Sequence, residues 1–221
     1  LGRPTPKART ELQEAIRAEP DRRAKALLDA TEYDALRRLA AERSVPNSGV
    51  RTWKASTLAL ALDTPACAGE ASSGQPYPDA ALARLARSRG VEVVGLETLI
   101  EQFGALDGLP PDTERALLQS VLRQAPHGPN LIETQVTRYL RKDAGGLLAL
   151  MQLGPVPDDP ATRTPAEFLR RLVTDRTKRM VERMQPLLDR GNAVIAVGIT
   201  HLPGRDGLLA MLERAGYGLT P

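Results

Sequence analysis

The side chains best suited to proton transfer or metal binding are two histidines, one cysteine and scattered carboxylates, spread over 221 residues. His201 has the most suggestive setting. It follows a short, wholly apolar run, Ala193-Val194-Ile195-Ala196-Val197, and then Gly198-Ile199-Thr200. Such a run reads as a parallel strand buried on both faces; the glycine would permit a sharp bend and the imidazole would leave the strand tip. A second strand-like run, Val91-Glu92-Val93-Val94-Gly95-Leu96, delivers the carboxylate of Glu97 in the same way. Ligands of open parallel sheets collect at the carboxyl ends of strands. His201 and Glu97 would then be half of a site for a divalent metal (Mn²⁺, Co²⁺ or Zn²⁺), or an acid/base pair without one. A hydrolytic centre normally uses three protein ligands and an open position, and only two are named here.

The residues by themselves leave plainer readings open. A histidine at a strand end is often a hydrogen-bonded structural residue. Glu97 could cap the helix beginning at Thr98, and Arg176, on a long helix, could be an ordinary ion-pairing residue. His127 reads as a solvated loop residue. Cys67 has no basic partner nearby in sequence to activate it, and Trp53 reads as core. No Gly-x-Ser-x-Gly elbow, phosphate-binding loop or dinucleotide fingerprint occurs, so serine esterase, NTPase and Rossmann chemistry fall away.

The elements expected to position these groups are mostly helices. Apolar spacing and end signals predict helices over 10–18, 31–43 with Thr31 as N-cap, 50–62 around Trp53, and 79–88. Further helices are expected over 99–105, 111–123, 130–150, from Thr164 to Asp189, and over 206–215. Residues 68–78 read as a loop. With strands at 91–96 and 193–197 and a third beginning at Gly216, the expected fold is helix-rich α/β with a small, mostly parallel sheet. Two strands and a stub make a poor sheet, so further strands are expected upstream of Leu1. The expected organisation is a single domain over 1–221, helical over 1–75 and α/β over 79–221.

Composition narrows the field. Hydrophobic residues are 42% and aromatics 3% of the chain, so the core must be built from Leu, Ala and Val, which suits packed helices. The net charge of +3 is mild and the charges are interleaved. The densest basic stretch, Arg170 to Arg183, is broken by Asp175 and Glu182 and reads as a solvated helix face, so nucleic acid is not expected as a partner. A single cysteine excludes an internal disulfide and a cysteine metal cage. No apolar run approaches the ~18 residues that a membrane span needs.

The stretch Gly191-Asn192-Ala193-Val194-Ile195-Ala196-Val197-Gly198-Ile199-Thr200-His201-Leu202-Pro203-Gly204-Arg205-Asp206-Gly207-Leu208-Leu209 strongly resembles the closing Gly-x-x-His block of TraB/GumN proteins, relatives of the Tiki membrane metalloproteases. Val94-Gly95-Leu96-Glu97-Thr98, with Gln102 following, resembles their Leu-Glu-Thr…Gln segment. Asp175-Arg176-Thr177-Lys178-Arg179-Met180 resembles their Arg-Asn-x-x-Met motif, with Thr177 in place of Asn. Thr52 stands where a Pro often precedes Trp53, and the family's first Gly-x-x-His motif does not occur before Thr10.

The resemblance implies a metal-dependent, peptidase-like hydrolase. His201 and Glu97 would be metal ligands and, with Arg176, catalytic groups, while Gln102 and Gly198 would meet substrate. The alternative it leaves is a non-catalytic protein binding a peptide or small-molecule ligand on the same scaffold, and a third is a structural role in an envelope assembly. Homo-oligomerisation and a cell-envelope location are further expectations.

Overall fold

The computed structural model describes residues 6–63, 78–154 and 158–220. Cys67 and most of the expected 68–78 loop lie outside them. The helices are α1 Pro6–Ala15, α2 Ala24–Leu27, α3 Ala30–Glu42, α4 Asn47–Thr52, α5 Ala55–Asp63 and α6 Pro78–Ser88. They continue with α7 Leu99–Gly104, α8 Pro111–Gln124, α9 Gly128–Leu140, α10 Ala144–Leu153, α11 Ala166–Leu169, α12 Arg176–Asp189 and α13 Leu208–Arg214. A π-helical turn, Arg170–Asp175, joins α11 to α12 without a break. None of the described helices is long and apolar enough to cross a membrane.

Local chemistry explains where several helices begin and break. α3 starts ahead of Thr31 because Asp29 accepts the Glu32 backbone N–H and the Glu32 carboxylate accepts that of Asp29, a reciprocal cap. The helix expected over 50–62 is two helices. Trp53 is extended between them, and Thr52 O and Ile16 O accept from the backbone N–H groups of Ala18 and Lys54. Gly49 allows this arrangement, since a Cβ there would lie 2.9 Å from the Trp53 ring. The helix expected over 130–150 breaks at Lys142 (φ 57°), and Asp143 caps α10 by accepting the Gly146 N–H at 2.8 Å.

Two apolar clusters fill the first part of the molecule. Leu36, Val50, Leu58, Leu62 and Leu118 pack α3, α4, α5 and α8 together. Leu106, Leu109, Leu117 and Phe168 continue this core towards α11. A third cluster, Met180, Val181, Met184, Leu208 and Leu212, joins α12 to α13, and Leu96, Ile195, Val197, Leu202 and Tyr217 pack against it.

The described residues do not form the expected sheet. Among the described residues there is no strand, only an isolated antiparallel bridge between Arg17 and Trp53. Residues 91–96, 193–197 and 216–220 form no ladder. Their β-branched composition is real, but a strand is defined by backbone pairing with a neighbour, and none of these segments has one. They rest on helices through alternate side chains instead: Leu96, Ile195 and Val197 face the α12–α13 cluster, while Val194 is 89% and Val91 57% exposed. The small parallel sheet is therefore corrected to a helical fold with extended connections.

Candidate functional site

The site is organised by two consecutive residues of one helix. Arg176 and Thr177 open α12, directly after the π turn, and both are buried. Their side chains reach back to carbonyls inside that turn: Arg176 Nη1 donates to Leu172 O at 3.0 Å, and Thr177 Oγ1 to Val173 O at 2.7 Å. A π turn loosens the regular carbonyl ladder, which side chains can then satisfy. The two residues then contact different parts of the chain. Arg176 meets Glu97, and Thr177 meets His201.

Arg176 holds Glu97 through two nitrogens. Nε donates to Oε1 and Oε2 at 3.1 and 3.0 Å, and Nη2 to Oε2 at 2.8 Å. The Glu97 and Arg176 side chains are 7% and 11% exposed. One turn on, Arg179 Nη2 adds a contact to Glu97 Oε1 at 3.4 Å. A further turn on, Arg183 donates to Leu96 O at 2.7 Å and pairs with Glu101. Residues 176, 179 and 183 fall on one helix face, so three arginines clamp the segment Leu96–Glu101. The basic stretch read as a solvated face thus has one face engaged in binding its own chain. The i, i+3, i+7 arginine spacing was the available signal.

The α7 end of the clamp is capped locally. Thr98 Oγ1 accepts the Glu101 N–H, and Glu101 Oε2 accepts the Thr98 N–H at 2.8 Å. The hydrogen bonds from Arg183 and Thr98 hold the Glu101 carboxyl down to about 2. Thr98, not Glu97, is therefore the helix cap, which leaves Glu97 to its arginines.

His201 lies in a 3₁₀ turn, Ile199–His201, that packs on the π turn and on α10. It is 7% exposed. Its Nδ1 is 2.7 Å from Thr177 Oγ1, and among the described residues Nε2 has no hydrogen-bond partner. Burial, followed by the Arg176 charge, pushes the imidazole below its usual range; Glu97 and the Val173 carbonyl oppose this. The surroundings therefore favour the uncharged ring.

Gly198 and Gln102 are placed differently from each other. Gly198 is extended (φ −60°, ψ 136°), a conformation open to any residue, so the sharp bend expected of it is corrected. A Cβ there would meet His201 Cδ2 at 3.5 Å, an ordinary contact, so the position lies against the ring without requiring glycine. Gln102 sits half-buried in α7 and makes no side-chain hydrogen bond to Glu97, Arg176 or His201.

The residue that sequence reasoning missed is Thr177. It was visible only as a departure from the Arg-Asn-x-x-Met pattern, and it proves to be the hydrogen-bond partner of His201. As for a metal, the described residues fit poorly. No group of three or more His, Cys, Asp or Glu side chains comes together among them. Both Glu97 oxygens already accept from arginine, and the one nitrogen suited to a metal is Nε2 of His201.

No curated protein and no solved structure matches this sequence. The family model for TraB/PrgY/gumN matches residues 3–221. That span takes in the Leu96–Glu101 segment, the π turn with α12, and the His201 turn, so the chain belongs to the TraB/PrgY/gumN family.

Proposed function

We propose that this family member acts through His201 as a binding site for a peptide or small amide-bearing ligand, with the Glu97–Arg176 pair as its fixed frame. The observation that carries this reading is the engagement of Glu97. A carboxylate accepting from Arg176 on both oxygens is poorly placed to act as a general base or a second metal ligand. His201 Nε2 is the group of this set with no partner among the described residues. An uncharged imidazole nitrogen accepts hydrogen bonds from amide N–H groups, which peptides supply in series.

The metal-dependent, peptidase-like hydrolase implied by the sequence resemblance is the second reading. One observation favours it: metal-binding histidines characteristically have their other ring nitrogen tied by a hydrogen bond, as Nδ1 is tied to Thr177. Three protein ligands are the usual number for a hydrolytic centre, and the described residues supply one. No catalytic step is therefore assigned to a metal here.

The experiment is titration of the protein and of His201→Ala with Mn²⁺, Co²⁺ and Zn²⁺, and separately with a pool of tryptic peptides. His201 imidazole resonances and calorimetry are the readouts. Peptide-induced shifts of His201, lost in the variant and independent of metal, are expected. One equivalent of metal that vanishes in His201→Ala would move the assignment to the hydrolase. No response to either would remove His201 as the functional group.

A further inference from the structure

We propose that Thr177 is a positioning residue that selects the tautomer of His201, keeping the proton on Nδ1 and presenting Nε2 as an open lone pair. The inference rests on the reading that His201 is the functional group of the site. It follows from counting hydrogens at one buried atom. Thr177 is fully buried, and its Oγ1 carries a single hydrogen. That oxygen lies 2.7 Å from Val173 O and 2.7 Å from His201 Nδ1.

A carbonyl oxygen only accepts, so the hydroxyl hydrogen must point at Val173 O. The side of Oγ1 facing the imidazole is then a lone pair. Nδ1 at 2.7 Å is attracted to it only if Nδ1 carries the ring proton. The opposite arrangement, with the hydroxyl donating to Nδ1, would set the lone pairs of Oγ1 and Val173 O against each other at 2.7 Å in a buried place. The ring proton therefore sits on Nδ1 and Nε2 is left as an acceptor, although a free imidazole side chain favours the other tautomer.

The surrounding structure serves the same end. The π turn supplies the Val173 carbonyl at the first turn of α12. Gly198 lies against the edge of the ring to which Nε2 belongs, where a Cβ would meet Cδ2 at 3.5 Å. An Nε2 presented in this way would suit an amide N–H or a metal equally, so the tautomer is a property of the chain under either functional reading.

The test uses the intact chain labelled with ring-¹⁵N histidine. With only two histidines, His127→Gln assigns the spectrum. In the unliganded protein at pH 8, long-range ¹H–¹⁵N correlations should give a pyrrole-type Nδ1 and a pyridine-type Nε2 for His201. Thr177→Ser, which keeps the hydroxyl, should preserve this pattern. Thr177→Val should weaken the preference for Nδ1–H and raise the share of the Nε2–H form, with the Val173 carbonyl as the remaining support of Nδ1–H. A wild-type ring already in the Nε2–H form would overturn the proposal, as would a folded Thr177→Val variant with an unchanged spectrum. If Thr177→Val does not fold, the wild-type spectrum still decides. Because no ligand is present, failure here is distinct from failure of His201 to bind peptide or metal.

Discussion

Arg176 and Glu97, 79 positions apart in sequence, form a two-nitrogen ion pair in which both side chains are almost wholly removed from water. The pair ties the Leu96–Glu101 segment to the first turn of α12. It sits one residue away from the Thr177–His201 contact, so the frame and the imidazole share one anchor.

Breaking that pair from one side should be costly. Glu97→Leu leaves the buried Arg176 charge uncompensated, a loss of about 3–5 kcal/mol, and Arg176→Leu, which leaves Glu97 the longer Arg179 contact, should cost somewhat less. The double variant Glu97→Leu/Arg176→Leu should lose clearly less than the two single losses added together. Urea unfolding midpoints for the four proteins check this; strict additivity would mean that the pair is uncoupled in solution.

His201 should make the fold sensitive to mild acid. Its folded-state pKa lies below the ordinary 6.5 because of burial and then Arg176. Between the two values the unfolded chain binds more protons than the folded one. The contribution is therefore complete above 6.5 and is lost as pH falls from there through the folded-state value. His201→Gln should flatten this part of the stability–pH curve, measured by thermal unfolding between pH 8 and 5.

Gly198 and Gly207, on either side of His201 in sequence, should behave oppositely. Gly198→Ala adds a methyl in ordinary contact with the ring at a backbone angle that any residue adopts. Its stability should stay within about 1 kcal/mol of the parent, while ligand access to Nε2 falls. A Cβ at Gly207 would run into the Pro203 carbonyl oxygen and lie 2.5 Å from that of Leu202. Gly207→Ala should cost about 1–3 kcal/mol and disturb the His201 resonances even without ligand. Equal effects of the two substitutions on stability would contradict this distinction.

The Arg183–Glu101 pair sets an acid window of its own. Glu101 titrates near 2 when its ordinary value is 4.5. A depressed carboxylate contributes stability above 4.5 and loses it as pH falls from 4.5 towards 2. Arg183→Ala should bring the Glu101 carboxyl upward towards the ordinary range, as followed by carboxyl ¹³C shifts.

Hydrogen exchange should separate the extended runs from the helices that carry them. Backbone amides of 193–197 have no helix or strand partner and should exchange with little protection. Those of Met180–Met184, inside α12, should exchange slowly. Strong protection over 193–197 would require backbone pairing there.

The sequence by itself determined most of the helices, the family, and the three segments that meet at the site. Periodic apolar positions and end signals are local, and they report a helix because helical hydrogen bonds are local too. Strand pairing is not local. The β-branched runs at 91–96 and 193–197 carry strand propensity, yet propensity cannot supply the neighbour whose backbone would complete a ladder. Tertiary structure therefore decided that they remain extended connections on a helical layer.

The same distinction runs through the site. Glu97, Arg176 and His201 were legible as chemistry-bearing residues at segment ends. That Glu97 would be neutralised by arginine, and that Thr177 rather than Glu97 would face His201, depended on the π turn that sets the phase of α12. A π turn has no strong sequence signature, and it rotates every side chain that follows it, so the partners of Arg176 and Thr177 could be known only once the helix was seen against its neighbours.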